Sequence, residues 1–388
     1  MEKKKIIIIT SRFPYPLNKG DKLRMYHQIK YISKYHDIYL ISLNTEKKIK
    51  KECLIELKKY CKDIHIININ FLTKGINIFK SLLYREPLQV GYFYSKKAHS
   101  KIISLTNEIQ PDWIYHQLIR TAKYANHNNN NIIDYMDAFS KGLERRITKF
   151  PRILRPLIKR EALITKAYET KVFNYFNKHT IITENDRNFI DHAHFKKIKV
   201  IPNGVDTQYF KPMDNTLKKY DIVFVGNMSY PPNIEAARYI CEEISPIIKR
   251  NYKQCKILIG GTNPHQIIKN LSSKHIKVSG WTKDIRKIYA SGNIFVAPMF
   301  MGTGLQNKLL EAMAMGIPCI TTKLANDALL ANSHQIIIAN NKVDFANACI
   351  QILKNKEKAE QLKNAGLKFI HEKYDWKKIN NNLSLMFK

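Results

Sequence analysis

Residues 294–322 constrain the fold more than any other stretch of the chain. Ile294 to Ala297 is a short apolar strand, Pro298 and the glycines Gly302 and Gly304 turn the chain, and Gln306 to Met315 consists almost wholly of strong helix formers. Gly316 stands where a left-handed C-cap residue would, Pro318 blocks further helix, and Cys319 to Thr322 begins another strand. A strand, glycine turn, helix and strand in this order belong to a parallel sheet, which puts the turn and the helix N-terminus at the carboxyl edge of the strands, where ligands bind. Asn307, Lys308 and Glu311 share neighbouring parts of one helical face, while Leu309, Leu310 and Met313 supply the buried stripe. Bare backbone N–H groups, a glycine that permits close approach and an adjacent lysine suit a phosphate. The carboxylate one turn further in can accept hydrogen bonds from sugar hydroxyls. A solvated Lys308–Glu311 pair is the plain alternative, and the upstream glycines argue for the ligand.

The same alternation recurs along the chain. Strands are expected at Lys5 to Thr10, His36 to Leu43, Ile64 to Ile69, Trp113 to His116, Asn131 to Met136, Thr180 to Thr183 and Ile198 to Pro202. The loop after the first strand leads into a helix through Gly20 and Asp21, without the GxGxxG of a dinucleotide fold. His116 falls at the carboxyl end of its strand, where site residues collect. The pattern restarts with strands at Tyr220 to Val225, Lys256 to Gly260, Ile276 to Val278, Ile294 to Ala297, Cys319 to Thr322 and Gln335 to Ile338. Asn233 is placed to cap a helix, and Val343 to Ala365 reads as mostly helix. A chain of 388 residues exceeds one ordinary core. The predicted architecture is α/β, with two doubly wound, Rossmann-like domains facing a central cleft. The first spans 1–206, a linker 207–219, and the second 220–369, with a terminal helix at 370–388 returning to the first.

The formal charge of +33 admits nucleic acid, an anionic membrane surface or acidic ligands as partners. Lysine is spread evenly in a chain also rich in Ile and Asn, which weakens that signal. The region from Lys141 to Lys178 is more specific: Ile153, Leu154, Leu157 and Ile158 alternate with Arg152, Arg155, Lys159 and Arg160, broken at Pro151 and Pro156. Such a basic amphipathic face suits an anionic membrane, or packs its apolar stripe on its own domain. The six cysteines show no CxxC spacing and read as buried thiols of a reducing compartment, with no zinc site. The apolar run Ile6 to Ile9 is too short for a signal-peptide core. A cytoplasmic protein, peripheral at the inner face of the plasma membrane, is expected.

Five ordered segments carry a family resemblance: the Pro14 to Arg24 loop, VIPNGVDTQYFKP at 200–212, FVGNMSYPPNIEA at 224–236, GWTKDIRKIYASGNIFVAP at 280–298 and LLEAMAMGIPCITT at 309–322. Together they resemble the family-4 retaining glycosyltransferases of the GT-B fold, and within them the exopolysaccharide-type sugar transferases that carry QNKxLEAMA. The resemblance implies a nucleoside-diphosphate sugar as donor substrate, no cofactor and no metal. It implies that Glu311 holds the donor ribose, that Gly20 lies near the donor diphosphate and that Trp281 and Asp284 lie by the nucleotide base. The turn at Gly226 and Asn227, with Thr303, Gly304, Gln306, Asn307 and Lys308, completes the implied donor site. His116 is matched to an acceptor-domain residue beside the sugar, so His116, Lys308 and Glu311 form the expected catalytic set.

Two departures stand out. The first glutamate of the family's motif is Thr303 here, and GNMSYPP lacks the basic pair found in many relatives. Lys308, backed by Asn307 and the helix N-terminus, is the remaining cation for the leaving diphosphate. A changed donor or a degenerate enzyme is the alternative reading of those departures. The expected reaction moves a hexose-type sugar, with retention, to a glycan or lipid-linked acceptor in bacterial surface polysaccharide synthesis. A nucleotide-sugar epimerase or hydrolase on the same fold is the second enzymatic reading. A non-catalytic basic binder ranks last, since no nucleic-acid motif is present and no nucleic-acid partner is expected.

Overall fold

The computed structural model describes residues 3–45, 48–213, 216–301 and 304–388. It divides into two compact units, Met1–Pro202 with Ile379–Lys388, and Asn203–Lys378. Each unit is a parallel α/β sheet.

Among the described residues, the first unit contains β1 (Lys5–Thr10), β2 (Asp37–Asn44), β3 (Asp63–Asn68), β4 (Trp113–Gln117), β5 (Asn131–Asp134), β6 (Lys178–Ile181) and β7 (Lys199–Val200). Their order is β3-β2-β1-β4-β5-β6-β7, all parallel. Ile6 to Ile9 have no exposed surface, which is why this strand reads as an unbroken apolar run. Between β3 and β4, where strand alternation offers no landmark, the chain forms helices Phe71–Leu83, Leu88–Phe93 and Lys96–Ile109. Pro156 does not break the basic region as its sequence predicts. It sits in the first turn of the helix Arg155–Phe173, where a missing N–H is tolerated, and the interruption lies before it in short 3₁₀ turns at Ile147–Lys149 and Arg152–Leu154. The last ten residues pack on this unit, with Asn380 donating to the His27 carbonyl at 3.2 Å and the Phe387 ring against Tyr115.

A buried ion pair organises the first unit. Arg24, on the helix Gly20–Ile32, donates from Nε to Asp134 Oδ2 at 2.6 Å and from Nη2 to Oδ1 at 3.2 Å, and neither side chain is exposed. Tyr115 and Thr180 hydroxyls also donate to Asp134, at 3.1 and 3.0 Å, and Arg24 donates to the Pro202 carbonyl at 3.1 Å. The carboxylate at the end of β5 thus ties β4, β6 and the first helix together.

Among its described residues, the second unit contains β8 (Tyr220–Val225), β9 (Ile257–Gly260), β10 (Ile276–Val278), β11 (Gly292–Ala297), β12 (Cys319–Thr321) and β13 (Ile337–Ile338), in the order β10-β9-β8-β11-β12-β13. Gly316 ends its helix at φ +67, as its position predicts. The helix expected over Val343 to Ala365 is two helices, Lys342–Lys354 and Lys356–Lys373, because Asn355 turns the chain and its side chain caps the second by accepting from Lys358 N. No helix among the described residues is long and apolar enough to cross a membrane.

Candidate active site

The second sheet reverses its direction of growth between β8 and β11. Open α/β sheets bind ligands outside the carboxyl ends of the strands at such a switch point. Two glycines shape the turn there. Gly226 follows β8 and donates to the Gly260 carbonyl at 3.0 Å. Gly261 has φ +139, and a Cβ there would lie 1.8 Å from the Gly226 oxygen, so backbone meets backbone.

Asn233 connects this turn to the helix Asn307–Ala314. Its expected capping role is not the one observed. The helix begins at Pro231, with Tyr230 in the cap position, since proline already sets the first turn. Asn233 therefore lies inside that turn and is buried. Its Nδ2 donates to the Asn227 carbonyl at 2.9 Å, and its Oδ1 accepts from Lys308 Nζ. Lys308 Nζ also lies 3.8 Å from Met299 Sδ and 5.0 Å over the Phe224 ring. Burial pushes the ammonium down to about 7, against the opposing pull of Glu311. One turn on, Glu311 Oε2 accepts from the Tyr289 hydroxyl at 2.7 Å. Burial raises this carboxyl to about 7, with Tyr289 and Lys308 opposing. A cation and a carboxylate poised near neutrality, held by buried neutral partners, mark this edge as a candidate site.

A Cβ on Gly226 would lie 2.7 Å from Asn233 Nδ2. Gly226→Ala is therefore expected to displace Asn233 and, through it, Lys308, weakening affinity for the nucleotide-sugar donor that the sequence resemblance implies by about tenfold. Calorimetric titration beside a thermal melt checks this, and unchanged affinity would count against the Asn233 link.

Asn307 opens the helix and its Oδ1 accepts from Asn203 Nδ2 at 3.3 Å. Gln306 holds the extended cap position, and its side-chain amide donates to the Gly304 carbonyl at 3.0 Å. Asn227 is exposed, and its Oδ1 accepts from the Ser229 N–H and hydroxyl at 3.1 and 2.9 Å. Trp281 is exposed. The Asp284 carboxylate is engaged by Arg286, which donates from Nε and Nη2 at 2.9 and 2.8 Å, and its pKa is lowered by that pair. Arg286 also covers the Tyr209 ring at 4.1 Å, so Asp284 serves a local clamp. Gly302 and Thr303 lie outside the described residues. In the first unit, Gly20 begins its helix with open space where a Cβ would be.

His116 is not placed as its expected role requires. It has no exposed surface, its ring nitrogens lie 3.2 Å from the Thr121 carbonyl and 3.2 Å from Asn131 Oδ1, and Phe176 packs edge-on against it. Burial pushes it down to about 4. The residue at the carboxyl end of β4 turns its ring into the core, and it is a packing residue here. Conversely, sequence reading passes over Asn233 as a contact of Lys308 and over Tyr289 entirely. Both are polar residues at helical positions that only burial distinguishes from ordinary ones.

Comparison with known proteins adds four findings. Residues 219–355 match the family described as Glycosyl transferases group 1. The chain is 23% identical over 396 residues to an uncharacterized 44.6 kDa protein in the cps region of Klebsiella pneumoniae, covering 98% of each. It is 31% identical over 193 residues to the UDP-Gal:alpha-D-GlcNAc-diphosphoundecaprenol alpha-1,3-galactosyltransferase of Escherichia coli, covering 41% of this chain and 46% of that one. Among solved structures, Anabaena Alr3699/HepE in complex with UDP and glucose superposes with a TM-score of 0.67 at 13% identity, covering 99% of each chain. That likeness bears on the fold alone.

Proposed function

We propose that this protein, a glycosyltransferase of the GT-B fold, moves a hexose-type sugar from a nucleoside-diphosphate donor to a lipid-linked acceptor, with retention, in the synthesis of a surface polysaccharide. The observation that carries the reading is the Lys308 ammonium, held by Asn233 beside a glycine turn at the switch point, with Glu311 one turn further in.

Each group has a task in that reaction. The Lys308 ammonium meets charge that develops on the departing diphosphate, and its half-buried surroundings strengthen the attraction. The N–H groups opening the helix Asn307–Ala314 add to it. Glu311 accepts from the donor ribose hydroxyls, and Tyr289 fixes its carboxyl from behind. The leaving phosphate takes the acceptor proton, so no protein base is required. Asp284 and His116 have no direct part, because their polar atoms are already engaged. The first unit takes the acceptor. A cavity of about 350 Å³ there is lined by Tyr15, Lys48, Lys50 and Glu52, and by Arg12, which Asp21 holds at 2.6 Å; its lysines outnumber its carboxylates, as an anionic acceptor needs. The E. coli relative named for a diphospholipid acceptor supports that choice. The basic Lys141 to Lys178 region holds the enzyme at an anionic membrane.

Incubation with UDP-, GDP- and ADP-hexoses and a short-chain diphospholipid sugar tests the reading. The expected result is a lengthened acceptor formed from one donor, with the anomeric configuration of the donor preserved by NMR, and lost in Glu311→Gln. Conversion of donor without any acceptor would instead make the protein an epimerase or hydrolase.

The pH dependence follows from Lys308. Its ammonium is present below about pH 7 and lost above. A bound diphosphate favours the charged form, so donor affinity falls as pH rises from 7 to 9, by less than the roughly tenfold per unit of one linked proton because Glu311, also near 7, ionises at the start of that window and favours the ammonium. Titration of UDP or its sugar across that range reads it directly, and Lys308→Ala flattens the slope.

A further inference from the structure

We propose that the helix Phe71–Leu83 lies in the interface of an anionic lipid bilayer, with its apolar face inserted. This deepens, and rests on, the membrane-bound acceptor of the proposed reaction, and it places the inserted surface outside the Lys141 to Lys178 region. The helix packs on the protein the opposite way round from an ordinary surface helix. The face turned to the body carries polar residues: Asn77 Nδ2 donates to the Tyr94 carbonyl at 2.6 Å, Lys74 Nζ donates to the Thr45 carbonyl at 2.6 Å, and Ser81 is buried against Gly91. Most of its apolar residues face outward, while Ile78 and Leu82 are half-buried. Leu72, Ile76, Phe79 and Leu83, spaced i, i+4, i+7 and i+11, form one stripe with exposures of 75%, 56%, 62% and 63%, flanked by Phe71 at 84% and Tyr84 at 73%. A monomer in water gains nothing from such a face.

The second basic segment adjoins it. Arg160 donates to the Leu82 carbonyl at 2.9 Å, so the start of the helix Arg155–Phe173 meets the end of Phe71–Leu83. The turn just before it presents Ile153, with Leu157 partly exposed one turn later. Lys80, Arg85, Arg152 and Lys159 are exposed in these segments, and residues 70–85 and 151–160 contain no Asp or Glu. The carboxylates that follow the two segments in sequence are engaged: Glu86 accepts from Lys123 at 2.8 Å and Glu161 from the Leu88 N–H at 2.8 Å. An apolar stripe bordered by cations alone fits acyl chains below anionic headgroups. It does not fit a second copy of the chain, because a two-fold contact would set these cations against one another with no carboxylate to pair them.

The test is co-sedimentation of the full chain with phosphatidylglycerol-containing vesicles and with pure phosphatidylcholine vesicles, for the native protein and a Leu72→Ser/Ile76→Ser/Phe79→Ser variant. The native protein is expected to bind the anionic vesicles and to retain part of that binding in high salt. The variant is expected to bind at least about tenfold more weakly while glycosylating a water-soluble acceptor at the native rate. In Phe79→Trp, emission shifts to the blue on adding anionic vesicles. Native-like binding by the triple variant would overturn the helix as the inserted element and leave the membrane reading standing. Failure of the native protein to bind any vesicle would overturn both. A native dimer that the triple substitution makes monomeric would assign the face to a second copy.

Discussion

Replacing Lys308 with alanine is expected to lower turnover by about 10²–10³-fold, the loss found when one preorganised donor to a developing anion is removed. The size follows from its surroundings. Nζ is fixed by Asn233 Oδ1 and Met299 Sδ over the Phe224 ring, so the ammonium is oriented before the donor arrives. The GNMSYPP turn supplies no Arg or Lys that could take over. Without donor, the variant should be as stable as the native protein or more so, since burial already disfavours this charge and pushes it down to about 7. Activity falling while the melting temperature holds or rises is thus the signature, measured by single-turnover kinetics and a thermal melt. Equal losses of both would reduce Lys308 to a structural residue, and undiminished turnover would remove it from the reaction. Lys308→Arg is not expected to rescue, because the longer, planar guanidinium cannot sit between Asn233 and Met299 in the same way.

The second large effect concerns stability. Asp134→Ala should cost about 3–5 kcal/mol, because it leaves the Arg24 guanidinium buried without its counter-charge. The same substitution removes the acceptor of the Tyr115 and Thr180 hydroxyls. Urea unfolding monitored by circular dichroism measures it, and an unfolding free energy within about 1 kcal/mol of native would show that the pair is not holding the first unit together. An Arg24→Met/Asp134→Leu double variant should lose much less than the sum of the single ones, since it leaves no orphan charge. The double variant separates the value of the pair from the penalty of breaking it.

The sequence carried the sheet scaffold well because buried parallel strands are nearly continuous apolar runs, and Ile6 to Ile9 or Ile222 to Val225 have no other comfortable place. Glycine positions were equally legible where the backbone demands them, as at Gly316. Helices between β3 and β4 were not, because Phe71–Leu83 exposes the residues that a pattern reading assigns to a core. Pro156 misled for a related reason: proline is disruptive only after the first helical turn, and the sequence does not mark where that turn begins.

The candidate site divides along the same line. By itself the sequence determined that a helix carrying Asn307, Lys308 and Glu311 follows a glycine turn at the carboxyl edge of a parallel sheet, since spacing and propensity act over a few neighbouring residues. Only the tertiary structure decided that Asn233 holds Lys308, that Tyr289 holds Glu311, and that His116 and Asp284 are already occupied. Those outcomes depend on burial and on partners up to 75 residues away. Desolvation, which moves both Lys308 and Glu311 toward neutrality, depends on what the rest of the chain packs around them.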